Sequence, residues 1–124
     1  MIGYVTLGTS DLERGAAFYD AVLGEIGASR SMGNERLITW GVQPDAPLLG
    51  ICLPFDGKPA SVGNGVMVAL SVGSKEAVHQ VYDKAISLGA ADEGPPGPRS
   101  VGGFYGGYFR DLDGNKLVAF VFGS

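Results

Sequence analysis

The chain opens on β-forming residues, with Val5 and Leu7 alternating against Tyr4, Thr6 and Gly8, which predicts a strand over residues 2–8. Ser10-Asp11-Leu12-Glu13 then has the form of a capping box, with Ser10 as N-cap and Glu13 three residues on. Behind it Leu12, Ala16, Tyr19 and Val22-Leu23 fall at helical spacing and form an apolar stripe that Gly24 and Gly27 bring to an end. Three shorter apolar stretches follow, at about 25–32, 35–42 and 48–53. Gly33-Asn34 and the run 43–47 separate them as turn signals.

The pattern then restarts. A strand is predicted over 65–72, and Ser74 caps a second helix reaching Leu88, whose stripe is Val78, Val81-Tyr82, Ala85 and Leu88, closed by Gly89. A strand near Ala91 leads into a stiff loop, Gly94-Pro95-Pro96-Gly97-Pro98. A further strand runs over 104–111, Asp113-Gly114 makes a hairpin turn, and 115–122 is the last strand. A constant shift of 63 residues sets Tyr4 on Met67, Val5 on Val68, Leu7 on Leu70, Glu13 on Glu76, Tyr19 on Tyr82 and Asp20 on Asp83. The order of elements repeats as well, which predicts an α+β fold built from a duplicated βαβββ module, about 1–60 and about 61–124.

Composition narrows the partners. At 45% hydrophobic residues the chain builds a true core. A net charge of −4, with its lysines and arginines scattered, argues against nucleic acid and anionic membranes. One cysteine, Cys52, excludes an intrachain disulfide and points to a reducing cytoplasm. It lies in an apolar run and is expected as a small buried hydrophobe. The first residues lack the basic and long apolar segments of a signal peptide or membrane helix. The 21 glycines are dispersed, and are expected at turns and on a sheet face that leaves room for a ligand.

Two runs are specific: Val5-Thr6-Leu7-Gly8-Thr9-Ser10-Asp11-Leu12-Glu13-Arg14 with Phe18-Tyr19, and Tyr105-Gly106-Gly107-Tyr108-Phe109-Arg110-Asp111-Leu112-Asp113-Gly114-Asn115. Through them the chain resembles the vicinal oxygen chelate superfamily, which includes glyoxalase I, bleomycin-resistance proteins and extradiol dioxygenases. Leu112 replaces the proline of the family's Asp-Pro-Asp-Gly-Asn turn. The resemblance implies curved half-barrel sheets around a ligand cleft, helices outside, and a homodimer. It also implies that metal-using members place ligands where this chain has Tyr4, Met67 and Val118. Divalent cations of that kind need imidazole or carboxylate donors. Valine offers none, a thioether is a poor match, and a phenol is protonated at neutral pH. A fourth position, on the strand with Ile51, Cys52 and Leu53, is not fixed by the sequence. No metal and no other cofactor is therefore expected.

Side-chain parity separates two faces. Val5 and Leu7, Val66, Val68, Leu70 and Val72, and Leu117, Ala119 and Val121 suit the helix-packed side. That leaves Tyr4, Thr6, Gly8, Met67, Ala69, Ser71, Lys116, Val118 and Phe120 for the cleft. On the strand 104–111, Tyr105 with Phe109 and Phe104 with Tyr108 form two classes that cannot both face it. The expected ligand is a small organic molecule, buried against Tyr4, Trp40, Met67, Tyr105, Val118 and Phe120. The alternative is a lyase, isomerase or dioxygenase of this superfamily with non-standard ligands. His79, the only histidine, is expected to face solvent, because Val78 and Val81 belong to the buried stripe. Arg30, Arg36 and Arg99 have the chemistry to clamp an anion, but read first as solvated charges. Asp111 and Asp113 read as turn residues.

Overall fold

A computed structural model describes residues 1–100 and 102–123. The first module contains β1 (Tyr4–Gly8), α1 (Leu12–Gly24), β2 (Ser29–Gly33), β3 (Leu37–Gly41) and β4 (Leu48–Cys52). The second contains β5 (Val68–Ser71), α2 (Lys75–Ser87), β6 (Ala91–Pro98), β7 (Phe104–Arg110) and β8 (Lys116–Phe122). Each forms a mixed four-stranded sheet, ordered β1-β4-β3-β2 and β5-β8-β7-β6, and the two do not close into a barrel. In both, the first strand lies parallel to the last and at the edge of its sheet. The duplicated βαβββ architecture is thus present, and the 63-residue shift carries α1 onto α2 with both ends coinciding. It fails for the final strands. Thr6 lies beside Gly50 and its counterpart Ala69 beside Val118, a shift of 68.

Local chemistry accounts for most element boundaries. Ser74 caps α2, accepting the Ala77 N–H at 3.1 Å. In α1 the cap is Asp11 instead of the expected Ser10: Asp11 is extended, and its carboxylate accepts the Arg14 N–H at 3.0 Å. Ser10 is diverted because its N–H and hydroxyl donate to Asp113 Oδ1, at 3.0 and 3.1 Å. The proline-rich run 94–98, expected as a loop, belongs to β6. Edge placement explains this: β6 pairs only with β7, and its register slips on both sides of Gly94, so the missing prolyl N–H groups cost no ladder bond. No helix among the described residues is long and apolar enough to cross a membrane.

One apolar core serves both modules. Tyr19, Val22 and Leu23 of α1 and Val78, Val81 and Ala85 of α2 are buried in it, and the two helices touch. Asp111 and Asp113 do close the β7–β8 turn, where Gly114 adopts φ +91° and donates its N–H to Asp111 O at 3.0 Å. They also clamp the modules together. Buried Asp111 accepts from Tyr19 Oη at 2.6 Å, Asn115 Nδ2 at 3.0 Å and the N–H groups of Asp113 and Asn115, both at 2.9 Å. Asp113 accepts from Thr9 Oγ1 at 2.6 Å and Arg14 Nη2 at 3.2 Å, and Asn115 Nδ2 also donates to Gly8 O at 2.9 Å.

This clamp has a pH signature. Burial first, and the facing Asp111 carboxylate second, push the Tyr19 phenol well above the usual tyrosine range. The folded state therefore holds a proton that the unfolded chain releases from about pH 10. The stabilisation is complete below that pH and is lost as pH rises through the folded value. Unfolding free energies from urea titrations at pH 9 to 11.5 should fall more steeply for the wild type than for Tyr19→Phe, the difference approaching about 1.4 kcal/mol per pH unit above about pH 10. Parallel curves would contradict the assignment.

Candidate functional site

Cross-strand register resolves the faces. Trp40 pairs with Leu49 and Ile38 with Ile51 on the α1 side of the first sheet, leaving Tyr4, Thr6, Leu37, Thr39, Leu48, Gly50 and Cys52 on the open side. In the second sheet Phe109 with Leu117 and Gly107 with Ala119 face α2. The open side carries Phe104 with Phe122, Gly106 with Phe120, Tyr108 with Val118 and Arg110 with Lys116. The question left by alternation is settled in favour of Phe104 and Tyr108. Gly106 leaves room between them: a Cβ there would stand 2.8 Å from Phe104 Cε1 and 3.1 Å from Val118 Cγ2, so the Phe104 ring would have to shift. Phe104 stacks on Phe120, with ring centroids 5.1 Å apart, and Phe122 meets both edge-on.

The six expected ligand contacts do not converge on one cleft. Tyr4 and Phe120 lie on the open faces of different sheets, and Val118, on the same face as Phe120, is fully buried. Tyr105 is corrected to the helix side, where its hydroxyl shares a 2.8 Å hydrogen bond with His79 Nε2 and Lys75 Nζ sits 5.1 Å from its ring centroid. Trp40 also lies on the helix side of its sheet. It is buried beside Tyr19, and its Nε1 donates to Asp20 Oδ1 at 2.9 Å. Asp20 also takes both Arg30 donors, at 3.0 and 2.8 Å, and these bonds hold its carboxyl below the ordinary range. Arg30 is thereby committed to structure.

Two of the six, Trp40 and Met67, do meet. They line a groove of about 510 Å³ between the modules, walled by Val5, Leu23, Leu48 and Leu49 on one side and β5 on the other. The wall is mainly apolar. Met67 also borders a second pocket of about 480 Å³, formed by the glycine-bearing segment 62–66 with Arg110 and Lys116. Lys116 lies on the open face, as its alternation with Val118 and Phe120 predicts, but neither it nor Arg110 was among the six expected contacts.

The remaining candidates have plain roles. His79 is exposed, as expected, and Cys52 is half-buried on the open face of the first sheet. Arg36 donates to Leu53 O at 2.7 Å and covers the Phe55 ring.

The residues present do not fit the family's metal. Tyr4, Met67 and Val118 supply neither imidazole nor carboxylate, and Val118 is sealed from the surface. The fourth position follows from register: the strand residue beside Thr6, matching Val118 beside Ala69, is Gly50, which has no side chain. Among the described residues no three His, Cys, Asp or Glu side chains gather where they could hold a metal ion.

Comparison with known proteins agrees with this geometry. The sequence model of the glyoxalase/bleomycin resistance protein/dioxygenase superfamily matches residues 1–119. A glyoxalase/bleomycin resistance protein from Albidiferax ferrireducens T118 is 34% identical, with a TM-score of 0.88 over 98% of both chains. Hypothetical protein SA1046 from S. aureus is 25% identical, with a TM-score of 0.75 over 98% of this chain and 92% of its own. A lactoylglutathione lyase from Agrobacterium tumefaciens shares the fold at 20% identity, with a TM-score of 0.70 over 98% of this chain and 92% of its own. No curated protein sequence matches. The family match and the two modules span nearly the whole length, and the chain belongs to the glyoxalase/bleomycin resistance protein/dioxygenase superfamily.

Proposed function

We propose that this chain binds a small organic molecule in the groove beside Met67, without a catalytic metal, and works as a homodimer. The observation that carries the reading is the groove itself. Its volume of about 510 Å³ falls within the range of ligand sites, and its walls are aliphatic with Trp40 at one side. Burying about 300 Å² of apolar ligand there is worth about 7 kcal/mol before the cost of association. Support for the metal-free part comes from the donor set at Tyr4, Met67, Val118 and Gly50. Support for the dimer comes from Tyr4 and Phe122, 49% and 59% exposed on the open faces of the two sheets and outside the groove.

Trp40 is the only tryptophan and lines the groove, so it reports on occupancy. A neutral aromatic probe, N-phenyl-1-naphthylamine, should quench Trp40 emission by energy transfer. Ala69→Phe, which adds bulk at an exposed residue on the groove wall, should weaken that binding at least tenfold, about 1.4 kcal/mol. An unchanged affinity would remove the groove as the site. Metal analysis tests the other part: purified protein should carry no stoichiometric Mn, Fe, Ni or Zn. Such a metal, lost on Tyr4→Ala, would overturn the metal-free reading. Sedimentation at micromolar concentration should give twice the chain mass.

A further inference from the structure

We infer that the pocket beside the groove is an anion site, so that the ligand is amphipathic: an apolar body with a carboxylate, sulfonate or phosphate group. The inference rests on the groove reading above. Arg110 and Lys116 are directly opposed on antiparallel β7 and β8, and both line the pocket of about 480 Å³ with Asn64 and Gly65. Like charges placed opposite each other on one sheet face are destabilising. A chain of net charge −4 has no general need for them, so the pair is best explained by something that sits between.

The neighbourhood is only partly neutralised. Arg110 donates from Nη1 to Gly114 O at 2.8 Å, and its Nε lies 3.3 Å from Glu93 Oε1. Lys116 has no carboxylate partner among the described residues; its ammonium lies 5.5 Å from the Tyr108 ring centroid. Arg99 lies 5.3 Å from that same ring, while its guanidinium donates to Pro95 O at 2.6 Å and Pro98 O at 3.2 Å. Two cations therefore flank the Tyr108 ring, with Arg110 opposite Lys116 on the same face, and the one carboxylate paired here is Glu93, on Arg110. Backbone carbonyls and the ring hold Arg99, and the ring holds Lys116, and these neutral partners leave both charges available.

Met67 joins the two spaces. It borders both the basic pocket and the apolar groove, so a molecule whose body lies along β5 places a terminal anion at Lys116. The segment 62–66 closes the far side through a backbone bond from Val66 N to Gly63 O at 3.3 Å.

The test uses two probes that differ by one sulfonate, 8-anilinonaphthalene-1-sulfonate and N-phenyl-1-naphthylamine, read by Trp40 energy transfer in the intact protein. Lys116→Gln should weaken the sulfonate about tenfold and the neutral probe less than about twofold. Raising salt on the wild type should weaken the sulfonate alone, which keeps the test valid even if the variant folds poorly. Equal losses for both probes, or an unchanged sulfonate affinity, would overturn the anion site and leave the groove standing. Failure of both probes to bind the wild type would remove the groove and the anion site together.

Discussion

Asp111→Ala is expected to destabilise the protein by about 3–5 kcal/mol, the largest effect of any single polar substitution in the chain. The buried carboxylate accepts from Tyr19, from the Asn115 side chain and from two backbone N–H groups. Alanine leaves all four donors without this acceptor, at a position only 6% exposed. For a domain of this size, total stability is about 5–15 kcal/mol, so the loss approaches a third or more of it. The melting temperature should fall by about 10–20 °C. Asp111→Asn keeps one acceptor oxygen but turns an amide toward a donor, and should fall between the two. A loss under about 1 kcal/mol for alanine would mean that solvent replaces the carboxylate and that the joint is not dry.

Trp40→Ala is expected to cost a similar amount, about 3–5 kcal/mol, by a different route. The indole is 1% exposed and lies against Tyr19, and its volume forms part of the floor between α1 and the first sheet. Its hydrogen bond is the lesser loss. Asp20 keeps both Arg30 donors when the indole N–H is gone, and its own side chain is 44% exposed. Trp40→Phe should therefore retain most of the stability, at a cost of about 1–2 kcal/mol. Urea denaturation of the two variants separates volume from hydrogen bonding. Equal losses would assign the effect to Asp20 instead.

The alternation of Val5 with Thr6 and of Leu117 with Val118 made the two faces of each sheet legible, because side chains on a strand obey a period of two. The face of Tyr105 was not legible. A strand rich in aromatics on both faces carries no polarity contrast, so parity alone leaves Tyr105 and Tyr108 equivalent; only the pairing of Tyr105 with Val121 decides. The Ser10 cap failed for a related reason. A capping box is a local signal, and Asp113, more than 100 residues away, offered Ser10 a better partner while Asp11 stood ready to replace it. The single expected cleft dissolved for want of tertiary information: no periodicity states how two modules share a core. At the second pocket only Lys116 was open to reading, by its alternation with Val118 and Phe120; Arg110 has the parity of Tyr108, which alternation left undecided.

The clamp around Asp111 also orders events in time. Its bonds to Tyr19, Ser10 and Gly8 span 92, 103 and 107 residues. During synthesis the first module leaves the ribosome with Tyr19 and Thr9 already made and nothing to receive their hydroxyl groups. It must wait for nearly the whole second module to emerge. Contacts of such long sequence separation are slow to form. The half-made chain exposes the surface that α2 will cover, and this is the interval in which it is most open to aggregation and to chaperones.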